Sequence, residues 1–209
     1  MSAAYFAKRL VGEILQKQSR LVVGMDPVWD RLPQELRDKG VEQALSEYCS
    51  GVFEAVAPHV AAVKPQIAFF EQFGWEGCRA FENCCREAKQ HGLLVIADAK
   101  RGDIGSTATA YAKAFLEDSD SGLGRYVDAL TVNPYLGMDS LQPFKDAALA
   151  NGKGLFILGR TSNPGAADFQ DRLSEGKSLY MAVTEEVQKW SATDDNCQAS
   201  ANGGDQYSS

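Results

Sequence analysis

The feature that most constrains the fold is a recurrence of short apolar runs, one about every 33 residues. Each run has the length of a buried strand and is too short for a helix. Amphipathic segments with apolar residues at helical spacing lie between the runs. This alternation predicts right-handed βαβ units around a parallel sheet. The predicted strands are 21–26, 60–64, 93–97, 128–134 and 154–162, and the predicted helices are 3–18, 41–56, 75–90, 106–117, 139–150 and 177–190.

Polar or charged side chains stand at the ends of these predicted strands. Asp26, Lys64 and Asn133 each precede a proline, and Ser162 ends the fifth strand two residues before Pro164. Polar groups that converge from several strand ends are typical of the carboxyl-terminal face of a (β/α)8 barrel. The sequence therefore predicts an α/β fold of the (β/α)8 TIM-barrel type rather than a doubly wound sheet.

The length of the chain limits the number of units it can hold. A complete barrel takes about 250 residues, whereas this chain has 209, of which 48 follow Thr161. We expect a single barrel-type domain over residues 1–190, with about five to six β/α units and without the last three strands. Residues 191–209 contain no Val, Ile, Leu or Phe, so they are expected to form a disordered polar tail.

Charge, hydropathy and cysteine content argue against several classes of function. The net charge of −7 argues against a nucleic-acid-binding surface, which would be basic. No apolar run approaches the roughly 20 residues of a membrane helix, and the first residues are amphipathic rather than a secretory signal. Five cysteines without a disulfide spacing favour a reducing compartment. We therefore expect a cytoplasmic protein with neither a nucleic-acid nor a membrane partner.

The segment after the third run carries the densest set of reactive side chains. Side chains of a strand alternate between its faces, so Asp98 and Lys100 are predicted to point the same way. Gly102 then allows a turn, and Asp103 arrives at the start of the next helix. The pattern predicts two carboxylates around one lysine. Such a lysine stays protonated and can act as a proton donor.

Each of these candidate site residues also fits a structural role that involves no chemistry. Asp98 and Lys100 fit an ordinary ion pair, Asp103 fits a helix cap, Lys64 fits a surface lysine, and Asp26 fits a turn residue. A metal site is disfavoured because the available side chains lack ligand spacing. These side chains are Cys78, Cys84, Cys85 and His91. Cys78 and Cys85 fall at helical spacing, so they are expected to be core residues of a helix instead.

Three motifs resemble those of the orotidine 5′-phosphate decarboxylase family, in its longer bacterial, type 2 subgroup. They are the runs 98–107 (DAKRGDIGST), 131–140 (TVNPYLGMDS) and 160–165 (RTSNPG), and the resemblance covers about residues 5–190. It implies a (β/α)8 barrel that works as a homodimer on a small nucleotide and needs neither cofactor nor metal. The implied reaction converts orotidine 5′-monophosphate to uridine 5′-monophosphate and carbon dioxide, in pyrimidine nucleotide biosynthesis.

The resemblance also implies roles for individual residues. Lys100 resembles the donor of a proton to C6 of the pyrimidine, and Asp98 resembles the carboxylate beside the departing carboxyl group. Asp103 completes the implied catalytic set and, with Ile104 and Thr107, resembles the segment that reaches across the dimer. Asp26 and Lys64 resemble the residues that hold the ribose hydroxyls, and Ser162 resembles the serine that contacts the pyrimidine. Asn133 and Pro164 are further implied substrate contacts. The family's phosphate-binding elements, which follow its seventh and eighth strands, have no match in this sequence.

Two other functions are compatible with the motifs. The chain could be a shortened family member that acts only as a non-catalytic partner of a full-length subunit. It could also be a related sugar-phosphate decarboxylase or aldolase barrel. Lys64 argues against the magnesium-dependent members of that group, which would need an acidic ligand there.

Overall fold

The computed structural model describes residues 5–120 and 122–191 of the chain. Its centre is a parallel five-stranded sheet in which neighbours along the chain are also neighbours in space, in the order β1 to β5. All strand carboxyl ends therefore lie at the same edge. The strands are β1 Val22–Met25, β2 Ala62–Pro65, β3 Leu94–Arg101, β4 Ala129–Val132 and β5 Gly154–Ile157.

Helices connect successive strands. The long ones lie where helical periodicity predicts them, and three four-residue helices occur within the connections. The α-helices are α1 Phe6–Lys17, α2 Gln34–Arg37, α3 Val41–Val56, α4 Ala68–Glu71, α5 Gly74–Gln90, α6 Gly105–Leu116, α7 Met138–Ala150, α8 Ala166–Phe169 and α9 Leu179–Ser191. Trp29–Arg31 and Leu123–Tyr126 are 3-10 helices, and β6 Leu173–Ser174 pairs antiparallel with β7 Lys177–Ser178.

The structure departs from the predicted fifth strand. That strand was expected to reach Ser162, but β5 ends at Ile157. The Leu158 N–H donates to the carbonyl of Val132 at 3.0 Å, and β4 ends there, so the ladder has no further partner. The predicted tail lies outside the described residues, except for Ser191, which ends α9.

The main core lies between the sheet and its covering helices. Helix α5 buries residues that recur at helical spacing along one face, including Phe81, Cys84 and Cys85. The Phe81 ring meets Phe70 edge-on, with centroids 5.4 Å apart. Gly77 packs so closely on α4 that a Cβ there would lie 1.8 Å from the Phe70 carbonyl oxygen. The prediction of core cysteines is confirmed for Cys85 and is wrong for Cys78, which is exposed. Cys84 is buried as well.

Buried charges tie the amino-terminal side of the sheet together. Asp128, 4% exposed, precedes β4. It accepts hydrogen bonds from Lys89 Nζ at 2.7 and 2.9 Å, from the Val95 N–H at 2.8 Å and from the Arg9 guanidinium. A single carboxylate therefore joins α1, α5 and two neighbouring strands.

The two outer strands pair on one side only within the described residues. Val22 on β1 is 43% exposed and Phe156 on β5 is 42% exposed. Both outer strands therefore carry a large apolar side chain that is partly open to solvent. No helix in residues 5–120 or 122–191 is long and apolar enough to cross a membrane.

Candidate active site

Strands β2 and β3 bring three charged side chains into contact at their carboxyl ends. Lys100 Nζ lies 2.5 Å from Asp98 Oδ1, and Lys64 Nζ lies 2.7 Å from Asp98 Oδ2. The predicted common orientation of Asp98 and Lys100 is confirmed. The expected arrangement of two carboxylates around one lysine is wrong, because the structure has two ammonium groups around one carboxylate.

Asp103 stands apart from this cluster. Its Oδ1 accepts a hydrogen bond from the Ile104 N–H at 2.8 Å, and it forms no ion pair within the described residues. The chain turns away at Gly102, where a Cβ would lie 2.9 Å from the Asn133 carbonyl oxygen. That turn carries Asp103 away from Lys100 within one subunit.

Asp98 is nearly surrounded by hydrogen-bond donors. It is 6% exposed. Besides the two lysines, Gln66 Nε2 donates to Oδ2 at 3.0 Å and Thr131 Oγ1 donates to Oδ1 at 3.1 Å. Burial raises the pKa of this carboxyl, but the hydrogen bonds and charges of Lys100 and Lys64 outweigh burial and hold the pKa below its usual value. Asp98 is therefore ionised at neutral pH.

A β-bulge forms the backbone of the cluster. The register of β3 against β4 passes from Ala97↔Leu130 to Arg101↔Val132, so three residues of β3 face Thr131 alone. Within the bulge, Lys100 has φ +46°, in the left-handed region that a lysine seldom occupies. The predicted common orientation of Asp98 and Lys100 is therefore correct, although the backbone between them is a bulge and not the regular strand that was assumed.

The remaining predicted site residues surround the same edge of the sheet. Asp26 follows β1 and is exposed, and Asn133 follows β4, where its Oδ1 accepts from the Tyr135 N–H at 3.1 Å. None of them hydrogen-bonds to the cluster in the part of the chain described. The exposed members of this group beyond β3 and β5 are Ile104 before α6, Thr107 in the first turn of α6, and Ser162 and Pro164 in the loop after β5.

Sequence reasoning missed two contacts of Asp98. Gln66 lies two residues beyond Lys64, and Thr131 opens the second motif. Gln66 could have been found from the period-2 spacing that puts it on the face of Lys64. The contact of Thr131 depends on the bulge, which has no signal in the spacing of residues.

No group of three or more His, Cys, Asp or Glu side chains in residues 5–120 and 122–191 is arranged to hold a metal ion. The cluster at the strand ends instead combines one carboxylate with two cations. Such a set can bind an anionic or hydroxylated ligand and can hold a proton on a lysine next to it.

Parallel β/α units with charged side chains at the carboxyl ends of the strands define a protein of the barrel-type α/β class. Residues 19–206 match the Orotidine 5'-phosphate decarboxylase / HUMPS family. The chain belongs to this family, and the resemblance inferred from its motifs is confirmed.

Curated relatives carry the same name. The chain is 44% identical over 190 residues to the orotidine 5'-phosphate decarboxylase of Rhodopirellula baltica, covering 87% of this chain and 63% of that protein. It is 46% identical over 178 residues to that of Deinococcus radiodurans, covering 85% of this chain and 60% of that protein. The chain therefore spans less than two thirds of the length of these two relatives.

Solved structures agree on the fold. The structure of Leishmania donovani OMP decarboxylase matches with a TM-score of 0.71 at 36% identity, over 87% of this chain and 64% of that one. Plasmodium berghei orotidine 5'-monophosphate decarboxylase matches with a TM-score of 0.78 at 20% identity, over 95% of this chain and 74% of that one. The second likeness concerns the fold alone. The predicted (β/α)8 TIM-barrel class, in a shortened form, is confirmed.

Proposed function

We propose that this chain decarboxylates orotidine 5′-monophosphate to uridine 5′-monophosphate, as a carbon–carbon lyase of pyrimidine nucleotide biosynthesis that uses no cofactor. The observation that carries the proposal is the Lys64–Asp98–Lys100 cluster at the carboxyl ends of β2 and β3. It occupies the face on which barrel enzymes hold their reacting groups. The names of the curated relatives support the same reaction.

Lys100 is the proposed proton donor. Breaking the bond between C6 and the carboxyl group leaves its electron pair on C6, and Nζ of Lys100 then gives that carbon a proton. A positive charge about 4 Å from the developing carbanion, at an effective dielectric of about 20, stabilises it by about 4 kcal/mol. Enzymes supply about 8–23 kcal/mol, so binding of the remote ribose and phosphate has to contribute the rest.

Asp98 directs the lysine toward the substrate. The carboxylate holds Lys100 Nζ at 2.5 Å and Lys64 Nζ at 2.7 Å. Substrate entry brings a second carboxylate close to Asp98. Repulsion between the two carboxylates is released when carbon dioxide leaves, which adds to the driving force for the step.

The other site residues are proposed to bind the substrate. Asp26 and Lys64 hold the ribose hydroxyls, Ser162 contacts the pyrimidine, and Asn133 and Pro164 are further substrate contacts. In a cytoplasmic homodimer, the partner subunit supplies a third group of residues to the site. That group is Asp103, Ile104 and Thr107. Asp103 is half-buried, whereas Ile104 and Thr107 are exposed and so accessible to a second copy.

The test is a spectrophotometric assay with orotidine 5′-monophosphate. We expect turnover by the purified protein, and its loss in Lys100→Met. The matched control is Lys113→Met, which removes an exposed lysine of α6 that forms no ion pair in the described chain and should leave the rate unchanged. A folded wild-type protein without turnover, or a Lys100→Met variant with the wild-type rate, would overturn the proposal.

A second candidate is a non-catalytic partner of a full-length subunit; the matched region covers 63% of the Rhodopirellula baltica protein. A protein that binds uridine 5′-monophosphate in calorimetry yet shows no turnover supports this candidate. Activity abolished by a chelator, or trapping of substrate on Lys100 by borohydride, supports the third reading of a sugar-phosphate decarboxylase or an aldolase.

A further inference from the structure

We propose that Thr131 is the positioning residue of this site: its single hydroxyl fixes both the backbone that carries Lys100 and the carboxylate that Lys100 contacts. The inference rests on the proposed function for its kinetic consequence, but its structural part stands independently. Thr131 lies on β4, is 7% exposed, and does not belong to the charged cluster itself.

All of the hydrogen-bonding capacity of the hydroxyl is used within the bulge. Thr131 Oγ1 accepts from the Ala99 N–H at 3.0 Å and from the Lys100 N–H at 2.9 Å. Its own proton has two acceptors in reach, Asp98 Oδ1 at 3.1 Å and the Ala97 carbonyl at 3.4 Å. The carboxylate is closer and carries the charge, so it is the stronger partner.

The bulge creates the need for this hydroxyl. Three residues of β3 face one residue of β4, so the N–H groups of Ala99 and Lys100 lie outside the regular ladder. A buried donor without an acceptor costs about 1–3 kcal/mol. The left-handed φ of Lys100, +46°, adds strain that its surroundings must hold in place. Thr131 supplies the missing acceptor for both donors.

The same hydroxyl also orients the reacting pair. Asp98 Oδ1 receives the Thr131 proton and contacts Lys100 Nζ at 2.5 Å. Thr131 therefore determines where the lysine main chain lies and which way its carboxylate partner faces. A displacement of about 1 Å in a reacting group can lower a rate about 100-fold, so loss of this hydroxyl should act on the chemical step more than on substrate binding.

Three variants separate this role from a structural one. Thr131→Val keeps the shape and removes the hydroxyl, whereas Thr131→Ser keeps the hydroxyl. Thr184→Val is the matched control, because Thr184 is exposed on α9 and, among the described residues, its hydroxyl bonds only the Tyr180 carbonyl, at 2.7 Å. We expect Thr131→Val to lower kcat by about 10- to 100-fold with KM changed by less than about threefold. Thr131→Ser should recover most of kcat, and Thr184→Val should match the wild type.

Amide hydrogen exchange tests the structural part without turnover. The Ala99 and Lys100 amides should be protected in the wild type and exchange at least about tenfold faster in Thr131→Val, as expected when a bond worth about 1.4 kcal/mol is lost. An inactive wild type with these protections overturns the proposed decarboxylation but supports the role of Thr131. The inference is overturned if the Ala99 and Lys100 amides exchange freely in the wild type. It is also overturned if Thr131→Val has the kcat and the amide exchange of the wild type. If Thr131→Val does not fold, amide exchange in the wild type alone decides.

Discussion

Replacing Asp98 with asparagine should destabilise the folded chain substantially at neutral pH. The change removes the charge between the ammonium groups of Lys64 and Lys100, which lie 2.7 and 2.5 Å from its oxygens. An ion pair at about 4 Å and an effective dielectric near 20 is worth about 4 kcal/mol. The lysine side chains are 36% and 46% exposed, so solvent screening reduces each pair to about 1–1.5 kcal/mol.

The sum of the two screened pairs is about 2–3 kcal/mol in the free energy of unfolding. With a urea dependence of about 2 kcal/mol per molar, the unfolding midpoint of Asp98→Asn should lie about 1–1.5 M lower than that of the wild type. Asp26→Asn is the matched control, since Asp26 lies at the same edge of the sheet, is exposed and forms no ion pair within the described residues. Its effect should stay within about 0.5 kcal/mol.

The pH dependence gives this prediction a second test. The pKa of Asp98 is lowered in the folded chain, so its contribution is fully present above the unfolded pKa of about 3.9 and is lost as the pH falls through the folded pKa. The stability difference between wild type and Asp98→Asn should therefore stay constant from about pH 7 to 5 and shrink below about pH 4. A difference that persists unchanged to pH 3, or that is absent at pH 7, would refute the electrostatic reasoning.

Three further outcomes follow from the packing and burial described above. Phe53→Ala should lower the free energy of unfolding by about 3–5 kcal/mol in urea titrations, because Phe53 is fully buried in the core. Gly77→Ala should cost about 1–3 kcal/mol in the same assay, since its Cβ would lie 1.8 Å from the Phe70 carbonyl oxygen; an unchanged midpoint contradicts this packing. In mass spectrometry after brief treatment of folded protein with a thiol reagent, Cys78 should be modified, since it is exposed. The hydrogen bond with Cys49, together with burial, raises the pKa of the Cys84 thiol, and burial raises the pKa of the Cys85 thiol. Rapid modification of either would therefore contradict the described core.

The long elements could be predicted from the sequence because their signals are periodic. The apolar stripe of 41–56 and the run 93–97 correspond directly to α3 and the start of β3. The four-residue helices α2, α4 and α8 were not predicted, because a single turn has no period to detect. The end of β5 depended on where its neighbour β4 stops, which is a property of pairing rather than of either segment alone.

The candidate site was predictable in its residue types and only partly in its geometry. The alternation of side chains along a strand correctly predicted that Asp98 and Lys100 lie side by side. The approach of Lys64 depended on β2 lying next to β3, and the separation of Asp103 depended on the turn at Gly102. Neither follows from spacing along the chain, since both result from the way neighbouring strands pack.

Within the described residues, β1 and β5 each pair on one side only, and this affects the symmetry of any self-association of that part of the chain. Edge strands offer free N–H and C=O groups to another chain. All five strands are parallel, so β1 of one copy can continue the sheet beside β5 of the next with the same strand direction. Such a contact joins two different surfaces and is head-to-tail. Repeated, it produces an open filament unless the rotation between copies closes a ring.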